Sequence, residues 1–188
     1  TEENPKILGT AGALDNARYL LEDDTFVIVN GKLITDIDIA EAVETHKKSG
    51  AIATMVLKPN VKREKFTEVY VKDGFLTGFG DYAHPFTREE IKDTTSGLSA
   101  PLMFTGIHIL EPRVFEYIPR GVYSDIVPTF YNPALRKGEK IGVHITDANW
   151  YELSTIPRYL DISLAMGLPV QAGNNCLVSG RATVKDSI

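Results

Sequence analysis

The amino-acid sequence predicts an α/β fold, and three consecutive segments carry this prediction. Residues 26–29 are all apolar, residues 37–48 repeat apolar side chains at helical spacing, and residues 51–57 are again almost entirely apolar. A strand, a helix and a strand at this spacing are typical of a parallel crossover connection. Because both strands are apolar on both faces, we expect helices to cover the sheet on each side.

The helices are predicted from capping residues and apolar spacing. Thr10 can cap a helix that extends to about residue 23, and Asp36 can cap the helix at residues 37–48, which ends at Ser49-Gly50. We therefore interpret Asp36 as a cap rather than as a ligand. Further helices are predicted from a capping box at residues 87–90, after Pro112, at 124–137 with interruptions near Pro128 and Pro133, and from Thr155 to Met166.

Short β segments occupy the rest of the chain. Residues 68–71 and 75–79 are typical of a hairpin joined by Lys72-Asp73-Gly74. Thr105-Gly106 interrupts the predicted strand at 102–110, and a glycine within a strand indicates a bulge or the close approach of a ligand. Further strands are predicted at 139–145 and 150–153.

Composition excludes several classes of function. The chain has 188 residues, of which 43% are hydrophobic, and this is enough for one good core. The net charge of -5 and the lack of a Lys/Arg run argue against a nucleic-acid partner, and no segment is long and apolar enough to span a membrane. A single cysteine, Cys176, excludes an intrachain disulfide and favours the cytoplasm. The start at Thr1, without Met or a signal-peptide pattern, indicates an N-terminally incomplete chain.

The last residues differ in character from the rest. Val178 and Val184 are spaced six apart, which is typical of the first coil of a left-handed parallel β-helix. Such a helix needs several stacked repeats to bury its core. We therefore predict an α/β domain at residues 1–168, followed at 169–188 by either the start of a hexapeptide-repeat β-helix or a docking tail. A further interpretation gives this tail a role in forming a homo-oligomer.

Several motifs, taken in their order along the chain, resemble those of one enzyme family. They are Leu8-Gly9-Thr10-Ala11-Gly12, Val29-Asn30-Gly31-Lys32 with Thr35-Asp36-Ile37-Asp38, Phe104-Thr105-Gly106-Ile107-His108, Ser124-Asp125-Ile126, and Trp150-Tyr151-Glu152-Leu153-Ser154-Thr155. Together they resemble the sugar-1-phosphate nucleotidyltransferases, and in particular the mannose-1-phosphate guanylyltransferase-like branch. The resemblance implies a Rossmann-like mixed sheet flanked by helices. It also implies transfer of a nucleotidyl group from a nucleoside triphosphate to a sugar 1-phosphate, with release of pyrophosphate and assistance from Mg²⁺.

The resemblance assigns roles to residues in these motifs. It places Gly9, Thr10, Ala11 and Gly12 against the nucleotide, where glycine lets the backbone approach a planar base. Asn30 and Gly31 follow a buried strand, and ligands in open α/β sheets bind outside the carboxyl ends of strands, so we predict that both residues bind the nucleotide. The same resemblance puts Thr105 and Gly106 in the sugar pocket. Glu152 corresponds to a metal-binding carboxylate, and Lys32 stands where the family has a second one.

The departures from the family pattern leave two functions open. The family's glycine-rich loop with its Arg and Lys is missing from residues 1–188. Lys32 cannot ligate Mg²⁺, so it is either a catalytic cation beside a phosphate or a solvated loop residue. Glu152 either holds a metal or pairs with a cation. We therefore expect a transferase domain that is inactive in isolation; the alternative is a non-catalytic sugar-nucleotide-binding or regulatory homologue.

The four histidines do not suggest a metal site. His46, His84, His108 and His144 lie in separate segments without the spacing of metal ligands. We therefore expect structural or surface roles for them.

Overall fold

The computed structural model describes residues 6–80 and 100–166, together with Ser179 and Arg181. The described residues fall into two compact units. The first contains those up to Asn30 and those of Ile37–Asp147, and the second contains those of Gly31–Asp36 and Ala148–Ile188. The predicted capping box at 87–90 lies outside the described residues, and so does the predicted β-helix start apart from Ser179 and Arg181. No helix in the described part of the chain is long and apolar enough to cross a membrane.

The first unit contains a six-stranded mixed sheet. Its strands are β1 (Phe26–Val29), β3 (Ala53–Pro59), β4 (Glu68–Lys72), β5 (Phe75–Phe79), β6 (Leu102–Leu110) and β7 (Ile141–Ile145), in the order β1-β6-β3-β7-β5-β4. β6 runs antiparallel to both β1 and β3, while β3 and β7 are parallel. β1 therefore stands at one end of this sheet. The predicted mixed α/β architecture is confirmed.

The predicted crossover differs from the structure in one respect. β1 and β3 run in the same direction, as the strand, helix and strand pattern indicates, but β6 lies between them and pairs with both. Their helix, α3 (Ile39–Ser49), connects strands that are not neighbours. Nothing in the local sequence of residues 26–57 indicates which strand fills the gap.

The second unit contains a small sheet and one helix. β2 (Leu33–Thr35) and β8 (Trp150–Glu152) pair antiparallel, with Leu33 opposite Glu152 and Thr35 opposite Trp150. The helix α5 (Ile156–Ala165) begins after Thr155, whose hydroxyl accepts a hydrogen bond from the Arg158 amide, as predicted. Sequence patterns predicted this helix but not the pairing of β2 with β8.

Two of the predicted helix starts are wrong. The predicted helix from Thr10 to residue 23 forms as α1 (Gly9–Asn16) and α2 (Arg18–Leu21), and no side chain caps the start of α1. The Thr10 hydroxyl instead accepts a hydrogen bond from the Ile126 amide at 2.8 Å. The residue that caps α3 is Asp38, which accepts from the Glu41 amide at 3.0 Å. Tertiary partners therefore take the groups that the local pattern assigned to caps.

Asp36 is held by a residue far along the chain. Its two carboxylate oxygens accept from the backbone amide and the side-chain amide of Asn149, both at 2.7 Å. Both oxygens of Asp36 are therefore engaged by Asn149, and Asp38 caps α3 instead. The predicted end of α3 at Ser49-Gly50 is confirmed. Gly50 caps the helix with a φ of 61°, in the left-handed region that favours glycine.

The core of the first unit lies around β3 and the segment that follows β6. Residues 53–57 of β3 are completely buried, and so are Phe130 and Tyr131. These two aromatic residues belong to a π-helix, Val127–Tyr131, which leads directly into α4 (Asn132–Arg136). The predicted interruptions at Pro128 and Pro133 are therefore confirmed as a change of helix type. A 3-10 helix, Pro112–Glu116, follows β6.

Candidate functional site

The Gly9–Gly12 turn packs against the segment that precedes the π-helix. The amides of Ala11 and Gly12 both donate to the Ser124 carbonyl, at 2.8 and 3.1 Å, and the Ser124 amide donates to the Leu8 carbonyl at 2.8 Å. A Cβ atom on Gly9, whose φ is +77°, would lie 2.7 Å from that carbonyl oxygen. A Cβ atom on Gly12 would lie 2.8 Å from the Val122 carbonyl. Both glycines are therefore required by the close approach of the chain itself.

Asp125 joins this turn through its carboxylate. Its Oδ1 accepts from the amide and the hydroxyl of Thr10, each at a long 3.4 Å, and its Oδ2 accepts from the Tyr123 hydroxyl at 3.0 Å. The hydrogen bond to this carboxylate, together with its negative charge, raises the pKa of Tyr123. The Ser124 hydroxyl oxygen is buried and has no hydrogen-bond partner among the described residues. The motif Ser124-Asp125-Ile126 contributes to the family resemblance, but its pattern alone predicts no role for these residues.

Asn30 and Gly106 lie together at the end of β1. The Asn30 amide donates to the Gly106 carbonyl at 3.0 Å. Gly106 has a φ of +80°, and a Cβ atom there would lie 3.0 Å from Cγ and 3.2 Å from Cβ of Asn30. The register of β6 against β3 shifts at this point, which confirms the predicted bulge. The structure thus brings together one residue predicted for the nucleotide and one predicted for the sugar.

Thr105, the other predicted sugar residue, is part of the sheet interior. It is 1% exposed, and its hydroxyl donates to the Val56 carbonyl at 2.7 Å. This bond crosses from β6 to β3 where the strand register shifts. The hydroxyl therefore supplies a hydrogen bond to β3 at the irregular step of the ladder.

In the second unit Lys32 and Glu152 form an ion pair. Lys32 Nζ lies 2.7 Å from Glu152 Oε1, and the two side chains are 51% and 16% exposed. The pairing of β2 with β8 holds them in place, because Leu33 is opposite Glu152 and the Leu153 amide donates to the Lys32 carbonyl at 2.8 Å. The Arg158 guanidinium donates to the Glu152 carbonyl at 2.9 Å. Glu152 therefore already has a cation on its carboxylate.

The described residues do not fit a Mg²⁺ ion. Magnesium prefers six oxygen ligands in near-octahedral geometry, usually one or two carboxylates completed by water and phosphate. No group of three or more His, Cys, Asp or Glu in residues 6–80 and 100–166 could hold a metal. Glu152 is paired with an ammonium group, and Asp36 in the same unit accepts two hydrogen bonds from Asn149.

A buried ion pair between Arg18 and Asp15, not predicted from the sequence, anchors the first helices. The Arg18 guanidinium lies 2.8 Å from Asp15 Oδ1, donates to the carbonyls of Phe115 and Ile118, and stands 4.5 Å from the Phe115 ring centroid. Burial raises the pKa of Asp15, but hydrogen bonds from the Gly121 amide and Arg18 outweigh it and leave the pKa lowered. The i, i+3 spacing of the two charges in the sequence could have indicated this pair.

The three histidines in the described residues have structural partners, in agreement with the sequence. His46 contacts the Thr54 hydroxyl at 2.9 Å and Glu111 Oε1 at 2.8 Å. His108 lies 2.7 Å from the Tyr131 hydroxyl, and burial lowers its pKa to about 3. His144 lies 3.0 Å from the Thr45 hydroxyl. His84 is outside the described residues.

Comparison with known proteins decides the family. A family model described as nucleotidyl transferase matches residues 1–167. The chain belongs to the nucleotidyl transferase family. The recognition from sequence motifs is therefore confirmed.

Two curated relatives show how this nucleotidyl transferase domain compares in sequence. The UTP–glucose-1-phosphate uridylyltransferase of Synechocystis sp. is 32% identical over 158 residues, which cover 82% of this chain and 38% of the relative. The mannose-1-phosphate guanylyltransferase of Mycobacterium tuberculosis is 24% identical over 163 residues, which cover 82% of this chain and 40% of the relative. The chain thus spans about two fifths of the length of each relative.

Solved structures share the nucleotidyl transferase fold. HddC from Yersinia pseudotuberculosis, complexed with GMP-PN, matches with a TM-score of 0.62 and 16% identity, covering 87% of this chain and 64% of that one. A putative glucose-1-phosphate thymidylyltransferase from Bacillus anthracis matches with a TM-score of 0.63 and 18% identity, covering 90% of this chain and 65% of that one. At these identities the likeness shows the fold alone.

Proposed function

We propose that this chain contributes to the transfer of a nucleotidyl group from a nucleoside triphosphate to a sugar 1-phosphate. The match of the nucleotidyl transferase family over residues 1–167 carries the proposal. Relatives named as uridylyl- and guanylyltransferases support it, and they favour transfer over the non-catalytic alternative. An oxygen of the sugar phosphate attacks the α-phosphorus of the triphosphate, a new phosphorus–oxygen bond forms, and pyrophosphate leaves with the electrons of the broken bond.

This chemistry needs positioning and neutralisation of charge more than it needs a covalent intermediate. In the proposal, the turn at residues 9–12 and the Asn30-Gly31 segment bind the nucleotide, and Thr105-Gly106 borders the sugar. The contact between Asn30 and Gly106 supports this assignment, because the Asn30 amide donates to the Gly106 carbonyl at 3.0 Å and so joins a residue from each group. Lys32 is the proposed cation for a phosphate group, since half of its side chain is exposed.

The finer assignments are also part of the proposal. We propose guanine as the base, although the Synechocystis relative is named as a uridylyltransferase. The cytoplasmic location that a single cysteine favours and the β-helix start at residues 169–188 remain predictions. The formation of a homo-oligomer also remains a prediction.

Calorimetric titration of the 188-residue chain with GTP and with UTP tests the nucleotide site. We expect GTP to bind more tightly, and Asn30→Ala to weaken binding about tenfold, which corresponds to about 1.4 kcal/mol. Thermal unfolding of the variant controls for its folding. A folded wild-type chain that binds neither nucleotide contradicts the proposal, and unchanged GTP binding by Asn30→Ala contradicts the placement of the site.

A pyrophosphate-release assay with GTP and mannose 1-phosphate tests turnover. We expect none from residues 1–188 alone, because they contain no glycine-rich loop with an Arg and a Lys to stabilise the charge on the triphosphate. Release of pyrophosphate by the purified chain, at a rate proportional to its concentration, would show that this expectation is wrong.

A further inference from the structure

We infer that Lys32 is a built-in cation which occupies the place of a divalent metal ion beside Glu152 and excludes that ion. The inference concerns metal binding by two residues of the second unit. It deepens the proposed function, on which its catalytic meaning rests, but the exclusion itself follows from the ion pair. Four observations support it.

First, the backbone positions the ammonium group. Lys32 directly precedes β2, and its carbonyl accepts the Leu153 amide at 2.8 Å, so its main chain is tied to the residue after Glu152. The register that sets Leu33 opposite Glu152 extends this tie along the strand. A lysine fixed at its main chain loses less freedom on pairing than one in an open loop. The ion pair is therefore a product of strand pairing.

Second, the carboxylate is sheltered while its cation is accessible. The Glu152 side chain is only 16% exposed, and a carboxylate with little access to water is stabilised by an opposite charge. Lys32 provides that charge at 2.7 Å, the distance of a strong charge-assisted hydrogen bond. The pair has no net charge, so it lacks the excess negative charge that attracts a divalent ion.

Third, a metal ion at Glu152 would find a repulsive neighbour and too few ligands. Coordination of the ion would have to displace the Lys32 ammonium group, which lies 2.7 Å from Glu152 Oε1. Asp36, which directly follows β2, accepts hydrogen bonds from Asn149 at 2.7 Å. Binding would therefore cost the ion pair and would replace it with a single carboxylate ligand.

Fourth, lysine at position 32 supplies a charge where aspartate would supply a metal ligand. An aspartate at position 32 would add a second carboxylate to the segment that pairs with β8, and Mg²⁺ or Mn²⁺ usually takes one or two carboxylates from a protein. Lysine gives one positive charge at the same location without any ligand to recruit. The ammonium group belongs to the chain itself, so its contact with a phosphate would not depend on the concentration of free metal.

Titration with Mn²⁺, followed by the electron paramagnetic resonance signal of the free ion, tests the inference without nucleotide or turnover. We expect wild type and Glu152→Gln to bind Mn²⁺ equally weakly, because Glu152 is occupied by Lys32. Lys32→Asp should bind Mn²⁺ at least tenfold more tightly than wild type, and the double variant Lys32→Asp/Glu152→Gln should lose this gain. Lys32→Met, which removes the charge without adding a ligand, is the control for the ion pair and should gain less than Lys32→Asp.

Two results would overturn the inference. One is wild-type Mn²⁺ binding that Glu152→Gln weakens, since the carboxylate would then be a ligand despite its ion pair. The other is a folded Lys32→Asp variant that binds no more Mn²⁺ than wild type. The comparison of wild type with Glu152→Gln stands even where Lys32→Asp fails to fold. Failure of the nucleotide titration would contradict the proposed function and leave these metal measurements unaffected.

Discussion

The bulge in β6 requires glycine at position 106 for two reasons, and replacing Gly106 by alanine measures their combined cost. The first is conformational, because φ is +80° and a left-handed conformation costs an L-residue about 1–2 kcal/mol. The second is steric, because the new Cβ would lie 3.0 Å from Asn30 Cγ and 3.2 Å from Asn30 Cβ. Overpacking of this kind costs about 1–3 kcal/mol. We expect a total loss of about 2–5 kcal/mol in the free energy of unfolding.

Gly74 offers a matched control for the conformational part. Its φ is +81°, yet a Cβ atom there would meet nothing within 4 Å. Gly74→Ala should therefore lose about 1–2 kcal/mol, and the excess loss in Gly106→Ala is the cost of the contact with Asn30. In the background of Asn30→Gly, which removes the contacting side chain, Gly106→Ala should cost no more than Gly74→Ala.

Urea unfolding of the four variants and the wild type, monitored by far-UV circular dichroism, supplies these free energies. Equal losses for Gly106→Ala and Gly74→Ala would refute the steric argument. A Gly106→Ala loss that persists in full after Asn30→Gly would show that a different contact is responsible.

Two further predictions concern buried charge and pH, and both use urea unfolding. Arg18→Met removes the guanidinium group from the Asp15 carboxylate and from two backbone carbonyls, so we expect a loss of about 3–5 kcal/mol in the free energy of unfolding. Arg120 is the control, because its side chain is exposed and its Nε lies 3.9 Å from Asp15. Arg120→Met should change the free energy of unfolding by less than about 0.5 kcal/mol. His108 has a folded pKa of about 3 against 6.5 for the free side chain, so the unfolded chain binds the proton first and stability falls as pH decreases from 6.5 toward 3. The slope from this residue approaches about 1.4 kcal/mol per pH unit, and the difference between wild type and His108→Gln should show it; a difference that does not vary with pH would contradict burial of neutral His108.

Local sequence patterns were sufficient for elements whose boundaries depend on near neighbours. β1 and β6 occupy the predicted residues, because each is an apolar run with polar residues or proline beyond its ends. The hairpin of β4 and β5 was likewise predicted from its turn, where Asp73 and Gly74 both have positive φ. The single glycine in β6 indicated either a bulge or the close approach of a ligand, and the strand register shows the bulge.

Elements that depend on distant partners were not predictable in this way. Asp36 and Asp38 are equally good caps by residue type, and the choice between them rests on Asn149, which is 113 residues from Asp36. The residue type of Thr10 likewise predicts a cap, but its hydroxyl accepts a hydrogen bond from the Ile126 amide, 116 residues away. A capping rule considers only a few neighbouring residues, so it cannot weigh a competing hydrogen bond from elsewhere in the fold.

The candidate site shows the same division. The motifs indicated which residues to consider, and pairing with a cation that the sequence does not identify was one of the alternatives for Glu152. The contact itself depends on the register of β2 against β8, which no feature of either short strand determines. The hydrogen bonds from the Gly9–Gly12 turn to the Ser124 carbonyl likewise depend on tertiary structure, so the local sequence does not predict them.

The position of β1 at the end of its sheet has a consequence for handling the protein. Among the described residues β1 pairs only with β6, and Val27 and Val29 on one face are 37% and 49% exposed. An apolar strand with unpaired peptide groups along one edge is a template for another strand. Self-association through that edge would use backbone hydrogen bonds and valine side chains, so changes in salt concentration would have little influence on it. A lysine in place of Val29 would oppose it directly, since a charged side chain on an edge strand discourages the approach of a second strand.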